Sequence, residues 1–318
     1  SDFDPKGKSD MEIMRFCQSF MSELYRHIGD DVDVPAGDLG VGGREIGFLF
    51  GQYKKLTGKY TGTITGKPIV SGGLLGRAEA TGYGVVTFLT EVLKHENDTI
   101  KDKVCVVSGY GNVTWGTVKK LDMLGAKVIT ISGKDGYILD EEGITGDKID
   151  YLLEMRDKKT GAKGYVEKYP NAKYFPGEKP WGVKADIYIP CATQNEINLE
   201  DAKLIVSSGS KYLIEGANMP TLNEAIAYLQ ENGVIVAPAK AANAGGVACS
   251  CIEMNQNASH DFFNEKDVLD KLDEIMINIH KQSMEAAEKY GLGYDLVKGA
   301  NIAGFEKVAE AMMCQGIV

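Results

Sequence analysis

Apolar positions recur along the chain at helical spacing in some segments and as short continuous runs in others. From Met14 to Ile28 they return at helical intervals behind Ser9-Asp-Met-Glu12, which resembles a capping box, so one amphipathic helix is predicted over residues 10–28. Further helices are predicted at about residues 45–56, 85–93, 146–156, 268–279 and 302–312. A short strand broken by Pro35-Ala-Gly37 is predicted within residues 31–38.

The clearest pattern begins at Lys103. A strand-length apolar run leads into Gly109-x-Gly111, helical spacing follows as far as Leu124, and a second apolar run covers residues 126–131. This order predicts a βαβ unit that opens on a phosphate-binding turn. The glycines let the backbone approach a pyrophosphate, and the start of the following helix, at Asn112 and Val113, favours negative charge.

This fingerprint is imperfect, because Thr114 stands where glycine or alanine is expected and no acidic residue follows at the usual distance. The second strand ends instead at Ser132, Lys134 and Asp135, which offer a hydroxyl, a cation and a carboxylate to a cofactor. Lys134 could pair with a 2′-phosphate, whereas Asp135 would repel it or hold free ribose hydroxyls. NAD and NADP both stay open, with a slight preference for NADP.

Three more strands are predicted at residues 185–190, 212–215 and 234–237, and each is followed by a loop of small and amide-bearing residues. Loops at the carboxyl ends of parallel strands gather at the ligand-binding edge of a sheet. Amides suit a carboxamide or ribose hydroxyls, since they carry donors and acceptors, although any one could be an ordinary turn residue. The candidate cofactor residues in these loops are Ala192, Thr193, Asn195, Asn218 and Asn243.

Asp38 is predicted to lie at a loop tip, followed closely by three glycines. Glycine-rich backbone around a carboxylate lets a substrate come close. The alternative is that Asp38 caps the following helix or simply closes a turn.

Composition narrows the classes of function. The 318 residues carry a net charge of −10, which argues against nucleic acid or an anionic membrane surface as partner. Apolar runs are too short to span a bilayer, and no secretory signal is recognisable. The six cysteines are scattered without metal-ligand spacing, so a cytoplasmic protein with reduced thiols and no metal is expected.

Several long motifs, in one order over the whole chain, resemble the hexameric glutamate dehydrogenases of the small-subunit type, within the Glu/Leu/Phe/Val dehydrogenase family. They include Val34-Pro-Ala-Gly-Asp-Leu-Gly-Val-Gly-Gly43, Glu79-Ala-Thr-Gly-Tyr-Gly84, Pro190-Cys-Ala-Thr-Gln-Asn195, Glu215-Gly-Ala-Asn-Met-Pro220 and Lys240-Ala-Ala-Asn-Ala-Gly-Gly-Val247. The resemblance implies reversible oxidative deamination of L-glutamate to 2-oxoglutarate and ammonium, with hydride transfer to NAD or NADP.

The resemblance also implies roles for individual residues. Asp38 matches the family's catalytic aspartate, which exchanges protons with the substrate amino group if its pKa is tuned by burial. Ser250 matches the side chain that binds the γ-carboxylate, and Ala36 and Val247 match the lining of the same pocket. Thr81 and Asn218 match the family's residues that contact the nicotinamide end of the cofactor. The family's pyrophosphate-binding turn is matched by Gly109, Gly111 and Asn112.

The family's catalytic lysine lies immediately before the segment that begins here at Ser1, and its other substrate lysines lie further upstream. Without those cations a dianionic substrate loses charge-assisted hydrogen bonds. We therefore expect this polypeptide alone to bind cofactor but to be nearly inactive, and the complete protein to be a glutamate dehydrogenase. Two alternatives stay open: a related dehydrogenase of branched or aromatic amino acids, and a nucleotide-binding or assembly module without catalysis.

The predicted architecture is α/β, with a doubly wound Rossmann-type dinucleotide-binding domain at residues 72–293. A partial α/β substrate and oligomerisation domain is predicted at residues 1–71, completed by a C-terminal helix at 294–318. By resemblance the complete protein is a homo-hexamer whose partners are small molecules.

Overall fold

The computed structural model describes residues 2–38 and 40–316. Within them the chain folds into two compact units, one made of residues up to 77 with 247–271 and one of residues 78–246 with 272 onward. The domains predicted from the sequence, residues 1–71 with 294–318 and residues 72–293, are drawn differently, and that division stays a prediction.

The helices of the described residues are α1 (Asp10–Leu24), α2 (Gly43–Thr57), α3 (Ala80–His95), α4 (Asn112–Met123), α5 (Asp147–Lys158), α6 (Lys163–Lys168), α7 (Leu199–Ser207), α8 (Asn223–Glu231), α9 (Ala239–Ala242), α10 (Gly245–Ser259), α11 (Glu265–Lys289) and α12 (Leu296–Gln315). Each helix that was predicted from apolar spacing is present, although α11 and α12 are longer than predicted, and α6, α9 and α10 were not predicted. The capping box at the start of α1 is confirmed, because the Ser9 side chain accepts from the Glu12 amide and Glu12 accepts from the Ser9 amide.

The strands belong to the second unit. They are β1 (Val104–Val107), β2 (Lys127–Gly133), β3 (Gly136–Leu139), β4 (Lys173–Pro176), β5 (Ile187–Ile189), β6 (Tyr212–Ile214) and β7 (Ile235–Ala237), and they form one sheet in the order β4-β3-β2-β1-β5-β6-β7. The five strands β2, β1, β5, β6 and β7 run parallel to one another. The chain therefore reverses its direction of strand addition between β1 and β5, which makes their carboxyl ends the expected ligand crevice.

The α/β doubly wound fold class is thus confirmed, with an addition that the sequence did not predict. Only one helix was predicted between the second strand and residue 185, but β3 and β4 also lie in this stretch and extend the sheet in antiparallel register. Gly133 pairs with Gly136, so Lys134 and Asp135 form the tight turn between β2 and β3.

One predicted strand is wrong. Within residues 31–38 the chain makes only an isolated parallel bridge, between Ala36 and Thr65. Pro35 lacks an amide hydrogen, and its carbonyl accepts the Thr65 amide at 2.9 Å, so pairing is confined to this point.

Each unit has its own apolar core. In the first unit α1 and α2 pack on a cluster that includes Met21, Ile46, Phe50 and Ile64. In the second unit the sheet core gathers Val106, Tyr188, Leu213 and Val236 with fully buried Trp181. The core of the second unit holds the strand ends rigidly, so the loops that follow them are positioned by packing.

Candidate functional site

The turn between β1 and α4 is built around Gly109. Its φ of +78° is left-handed, and a Cβ there would lie 2.7 Å from Thr114 Oγ1 and 3.1 Å from Ala192 Cα. Thr114, which replaces the expected small residue, is fully buried and donates to the Ser108 carbonyl at 2.9 Å. The turn therefore accommodates threonine in place of the expected glycine or alanine, because the Thr114 hydroxyl is hydrogen-bonded inside it.

Open space lies in front of the first turn of α4. A Cβ on Gly111, the N-cap residue, would meet no atom within 4 Å, and the first amides of an α-helix have no partner inside it. The helix dipole adds partial positive charge at the same place. This cradle fits the pyrophosphate of a dinucleotide, and Asn112 and Val113 are its first helical residues.

The end of β2 lies against this turn. Ser132 Oγ accepts from the Gly109 amide at 3.0 Å, and the Ser132 amide donates to the Gly109 carbonyl at 3.3 Å. Arg156 of α5, which sequence reasoning missed, donates to Asn112 Oδ1. The structure thus brings Ser132 and a half-exposed cation beside the pyrophosphate turn.

Asp135 is engaged by the segment that follows α5. Its carboxylate accepts from the amides of Ala162 and Lys163 and from the Tyr174 hydroxyl. Burial tends to raise the pKa of Asp135, but these hydrogen bonds outweigh it and hold the pKa below its usual value. The turn therefore carries a fixed negative charge, while Lys134 is exposed.

The loop after β5 meets the same crevice. Ala192 lies close to Gly109, while Thr193 and Asn195 are exposed. Asn195 adopts a left-handed φ of +57°, and its amide donates to the Met219 carbonyl at 2.9 Å. The loops after β5 and β6 are therefore tied together.

Glu196 supports this loop from beneath and was not predicted. Its Oε1 accepts from the Ser108 hydroxyl at 3.0 Å and from the amides of Ala192 and Thr193 at 3.1 and 3.3 Å. Burial raises the pKa of Glu196 to about 7, although these bonds oppose the shift. The carboxylate joins the ends of β1 and β5.

Two predicted amide residues form a pair. Asn243 Nδ2 donates to Asn218 Oδ1 at 2.7 Å and to the Gly216 carbonyl at 3.2 Å. With its oxygen so engaged, Asn218 keeps its own NH₂ group for a ligand. Thr81 lies on the first turn of α3, a turn that packs against Gly245, since a Cβ on Gly245 would lie 2.3 Å from the Ala80 carbonyl oxygen.

In the first unit Asp38 is exposed at the tip predicted for it. Its carbonyl accepts from the Val41 amide at 2.8 Å, so the main chain closes the turn. The interpretation of Asp38 as a helix cap is wrong, because α2 has Gly42 as N-cap and Glu45 accepts from the Gly42 amide. The burial that was expected for the Asp38 side chain is not observed within this unit.

The residues matched to the substrate side chain lie together. Thr65 Oγ1 donates to Ser250 Oγ at 3.0 Å, and Thr65 also pairs with Ala36. Val247 lies one turn before Ser250 on α10 and is 64% exposed. Thr65 is a further candidate that the sequence analysis missed.

A depression on the surface of this unit lies elsewhere. It measures about 450 Å³ and is lined by Asp30, Asp31, Tyr60, Met254 and His260 among others, without any residue that the sequence predicted. Within residues 2–38 and 40–316, no group of three or more potential ligands is placed to hold a metal ion. No helix in the same ranges combines the length and apolar character needed to cross a membrane.

Two family models match the chain. The model described as Glutamate/Leucine/Phenylalanine/Valine dehydrogenase matches residues 72–316, and the one described as Glu/Leu/Phe/Val dehydrogenase, dimerisation domain, matches residues 1–55. The chain belongs to the Glu/Leu/Phe/Val dehydrogenase family. The resemblance inferred from the motifs is confirmed.

Individual members of the Glu/Leu/Phe/Val dehydrogenase family are closely similar. The chain is 58% identical over 321 residues to the NAD-specific glutamate dehydrogenase of Clostridium symbiosum, and 49% identical over 322 residues to the NADP-specific glutamate dehydrogenase of a Psychrobacter species. These alignments cover the whole chain and 71% and 72% of the two proteins. A solved glutamate dehydrogenase structure, 57% identical, superposes with a TM-score of 0.97 over the whole chain and 71% of its own.

The open space at Gly111 yields a testable prediction for this family member. Changing Gly111→Ala places a methyl group where the pyrophosphate is predicted to bind, so the Kd for NADH is expected to rise about tenfold or more, a loss of roughly 1.4 kcal/mol. Folding is expected to be unaffected, because the new Cβ meets no atom within 4 Å. Fluorescence titration with NADH measures the affinity, and thermal denaturation measures the stability.

Gly182→Ala is the matched control, since its Cβ makes only an ordinary contact at 3.8 Å. Unchanged NADH affinity in Gly111→Ala would contradict the placement of the cofactor at this turn.

Proposed function

We propose that the protein carrying this chain is an NAD(P)-dependent glutamate dehydrogenase. L-glutamate, water and oxidised cofactor give 2-oxoglutarate, ammonium, reduced cofactor and a proton, and the reaction is reversible. The observation that carries this proposal is the 58% identity, over the whole chain, to a protein named NAD-specific glutamate dehydrogenase. The pair of hydroxyls at Thr65 and Ser250 supports glutamate rather than an apolar amino acid.

The hydroxyl pair suits a carboxylate at the end of the substrate side chain. Ser250 is buried and Thr65 is almost fully buried, so an apolar side chain placed against them would leave the hydroxyls without a water partner. The Thr65 hydroxyl donates to Ser250 Oγ, so the Ser250 hydroxyl can donate its own hydrogen to a carboxylate. A site built in this way discriminates strongly against analogues that lack the polar group.

Asp38 is proposed as the acid and base for the substrate amino group. It takes a proton from the ammonium form before hydride loss, and it returns a proton to the departing ammonia after water has added to the iminium carbon. When bound, the nicotinamide supplies the acceptor for the hydride that leaves the α-carbon. We infer that Gly109, Gly111 and the start of α4 hold the pyrophosphate, and that Asn218, oriented by Asn243, donates to the carboxamide.

A substrate panel tests the proposal. Reduced cofactor is measured with L-glutamate, L-leucine and L-phenylalanine as separate substrates, with NAD and with NADP. The proposal expects kcat/KM for L-glutamate to exceed the others by at least about 10²-fold. A preference for leucine or phenylalanine would establish the related dehydrogenase instead, and cofactor binding without any turnover would favour the assembly module.

We further infer that NAD is the better cofactor, against the slight preference for NADP drawn from Lys134. The fixed charge of Asp135 supports NAD, because a 2′-phosphate near it would be repelled. Asp135→Asn removes the charge and keeps one acceptor oxygen, for the amide of either Ala162 or Lys163. We expect the ratio of kcat/KM for NADP over NAD to rise about tenfold, on the order of 1 kcal/mol.

Steady-state kinetics with each cofactor measure this ratio. Glu141→Gln, which removes an exposed carboxylate of the same unit, is the control and is expected to leave the ratio unchanged. An unaltered ratio in Asp135→Asn would remove Asp135 from cofactor selection.

We also propose that the complete protein is a homo-hexamer located in the cytoplasm. The match of residues 1–55 to a model described as a dimerisation domain supports assembly, as do exposed apolar side chains such as Met11 and Phe20 on α1. No disulfide joins any of the cysteines in the described part of the chain, which supports a reducing compartment. Light scattering of the purified protein tests the hexamer.

A further inference from the structure

A buried ion pair holds the backbone of the segment that carries Thr65. Lys67 Nζ lies 2.7 Å from Glu253 Oε1, and both side chains are fully buried. The Glu253 carboxylate also accepts from the amides of Gly66 at 2.9 Å and Lys67 at 3.2 Å. Lys67 Nζ donates in addition to the Ile64 carbonyl at 2.7 Å. One lysine and one glutamate therefore hold three peptide groups around Thr65.

The backbone that they hold is strained. Ile64 has a φ of +63°, a left-handed conformation that is an outlier for a β-branched residue, and Gly66 follows with a φ of +84°. Such a conformation persists only when the surrounding structure fixes it, and it is found preferentially at functional sites. Here Lys67, which forms the ion pair with Glu253, also donates a hydrogen bond to the Ile64 carbonyl. The ion pair therefore helps to hold the strained conformation in place.

The strained turn determines where the hydroxyl pair lies. Thr65 stands between Ile64 and Gly66, and its hydroxyl donates to Ser250 Oγ at 3.0 Å. Ser250 and Glu253 are three residues apart on α10 and so share a helix face. The ion pair and the hydroxyl pair thus join the same two elements, side by side.

The charge of Lys67 is not available to a substrate. Its ammonium group is fully buried, and the carboxylate of Glu253 matches its charge. Stability alone does not account for such a pair either, because replacing a buried ion pair with apolar residues of similar volume is often neutral or stabilising. A role in positioning the Thr65 segment accounts both for the burial of the Lys67 charge and for the presence of an ion pair that stability alone does not explain.

We propose that the Lys67–Glu253 ion pair is a positioning device that holds the Thr65 hydroxyl against Ser250 and thereby sets the preference for a substrate whose side chain ends in a carboxylate. This inference rests on the proposed glutamate dehydrogenase function. Neither residue of the pair contacts the substrate, and both act through Thr65.

The test is the double variant Lys67→Met/Glu253→Met, which replaces the charges with apolar side chains of similar length. We expect the KM for L-glutamate to rise about tenfold, and the ratio of kcat/KM for L-glutamate over L-norvaline, which lacks the γ-carboxylate, to fall by about the same factor. The KM for cofactor is expected to stay within about twofold, since the cofactor residues lie in the other unit.

Lys148→Met is the control. It breaks an ion pair with buried Asp140 in the other unit, so it is expected to lower the melting temperature while leaving the glutamate to norvaline ratio unchanged. A folded double variant that keeps the wild-type ratio overturns the proposal. If the double variant fails to fold, Glu253→Gln decides, because it keeps one acceptor oxygen for the amide of Gly66 or Lys67 but removes the charge that holds Lys67.

A reduced glutamate to norvaline ratio in Glu253→Gln supports the positioning role, and an unchanged ratio overturns it. The unaltered protein is assayed beside every variant. Absence of glutamate oxidation in the unaltered protein would overturn the proposed function and this inference together, whereas normal oxidation with an unchanged ratio in the variants would overturn this inference alone.

Discussion

Replacing Asp38 with asparagine is expected to lower kcat for glutamate oxidation by about 10²- to 10⁴-fold, the range that general acid–base catalysis contributes. Asparagine has nearly the same shape but cannot take up a proton from the substrate ammonium. No hydrogen bond to the Asp38 carboxylate occurs among residues 2–38 and 40–316, where only its carbonyl is engaged. The substitution therefore removes chemistry and little structure.

Steady-state kinetics and NADH titration separate the two effects. NADH affinity is expected to stay within about twofold, because the proposed cofactor cradle lies in the other compact unit. Asp33→Asn is the matched control, since Asp33 is an exposed carboxylate in the same segment. A variant Asp38→Asn with near-normal kcat would remove Asp38 from the mechanism.

Gly82→Ala is expected to destabilise the second unit severely, although it adds a single methyl group. A Cβ at this position of α3 would lie 2.2 Å from the Thr117 amide nitrogen, 2.5 Å from the Gly116 carbonyl carbon and 2.6 Å from the Val113 carbonyl oxygen. All three are backbone atoms of α4, so no rotamer change relieves the clash. We expect a loss of at least about 3 kcal/mol in the free energy of unfolding.

The same clash would move the start of α4, so cofactor affinity should fall together with stability. Gly304→Ala is the control, because it adds the same methyl group inside helix α12 with no atom within 4 Å. That variant is expected to be more stable by about 0.5–1 kcal/mol, since alanine favours helix. Urea denaturation measures the stability of both variants. An unchanged unfolding midpoint in Gly82→Ala would contradict the close contact between α3 and α4.

Local pattern was enough for the cofactor end of the fold. The apolar run before Gly109, the two glycines and the helical spacing after them are all contained in one short stretch, and the structure forms β1, the turn and α4 there. The later strands β5, β6 and β7 were found for the same reason, because each is a short apolar run followed by a loop.

The local sequence pattern did not predict elements whose buried residues are polar or whose turn residues resemble a ligand-binding loop. Helix α10 was not predicted because its buried face carries Ser250, Glu253, Gln256 and Asn257, so no apolar period is visible. The β3–β4 extension was missed because Lys134 and Asp135, taken for a ligand loop, are the tight turn between two strands.

The supporting residues of the site could not be found from spacing at all. Thr65 meets Ser250 across 185 positions of sequence, and Ser108 meets Glu196 across 88. Such contacts depend on the folded arrangement of distant segments. Conversely, the match of Asp38 and Ser250 to substrate roles came from the resemblance, and those roles stay predictions.

Glutamate oxidation by this protein is tested most sharply by following the hydride itself. The protein that carries this chain is incubated with α-deuterated L-glutamate and oxidised cofactor, and both products are analysed by mass spectrometry. We expect the α-deuterium to appear in the reduced cofactor, in equal amount to the 2-oxoglutarate formed, and Asp38→Asn to suppress both. Cofactor that binds normally but gains no deuterium, in a protein that folds normally, would contradict the proposed function.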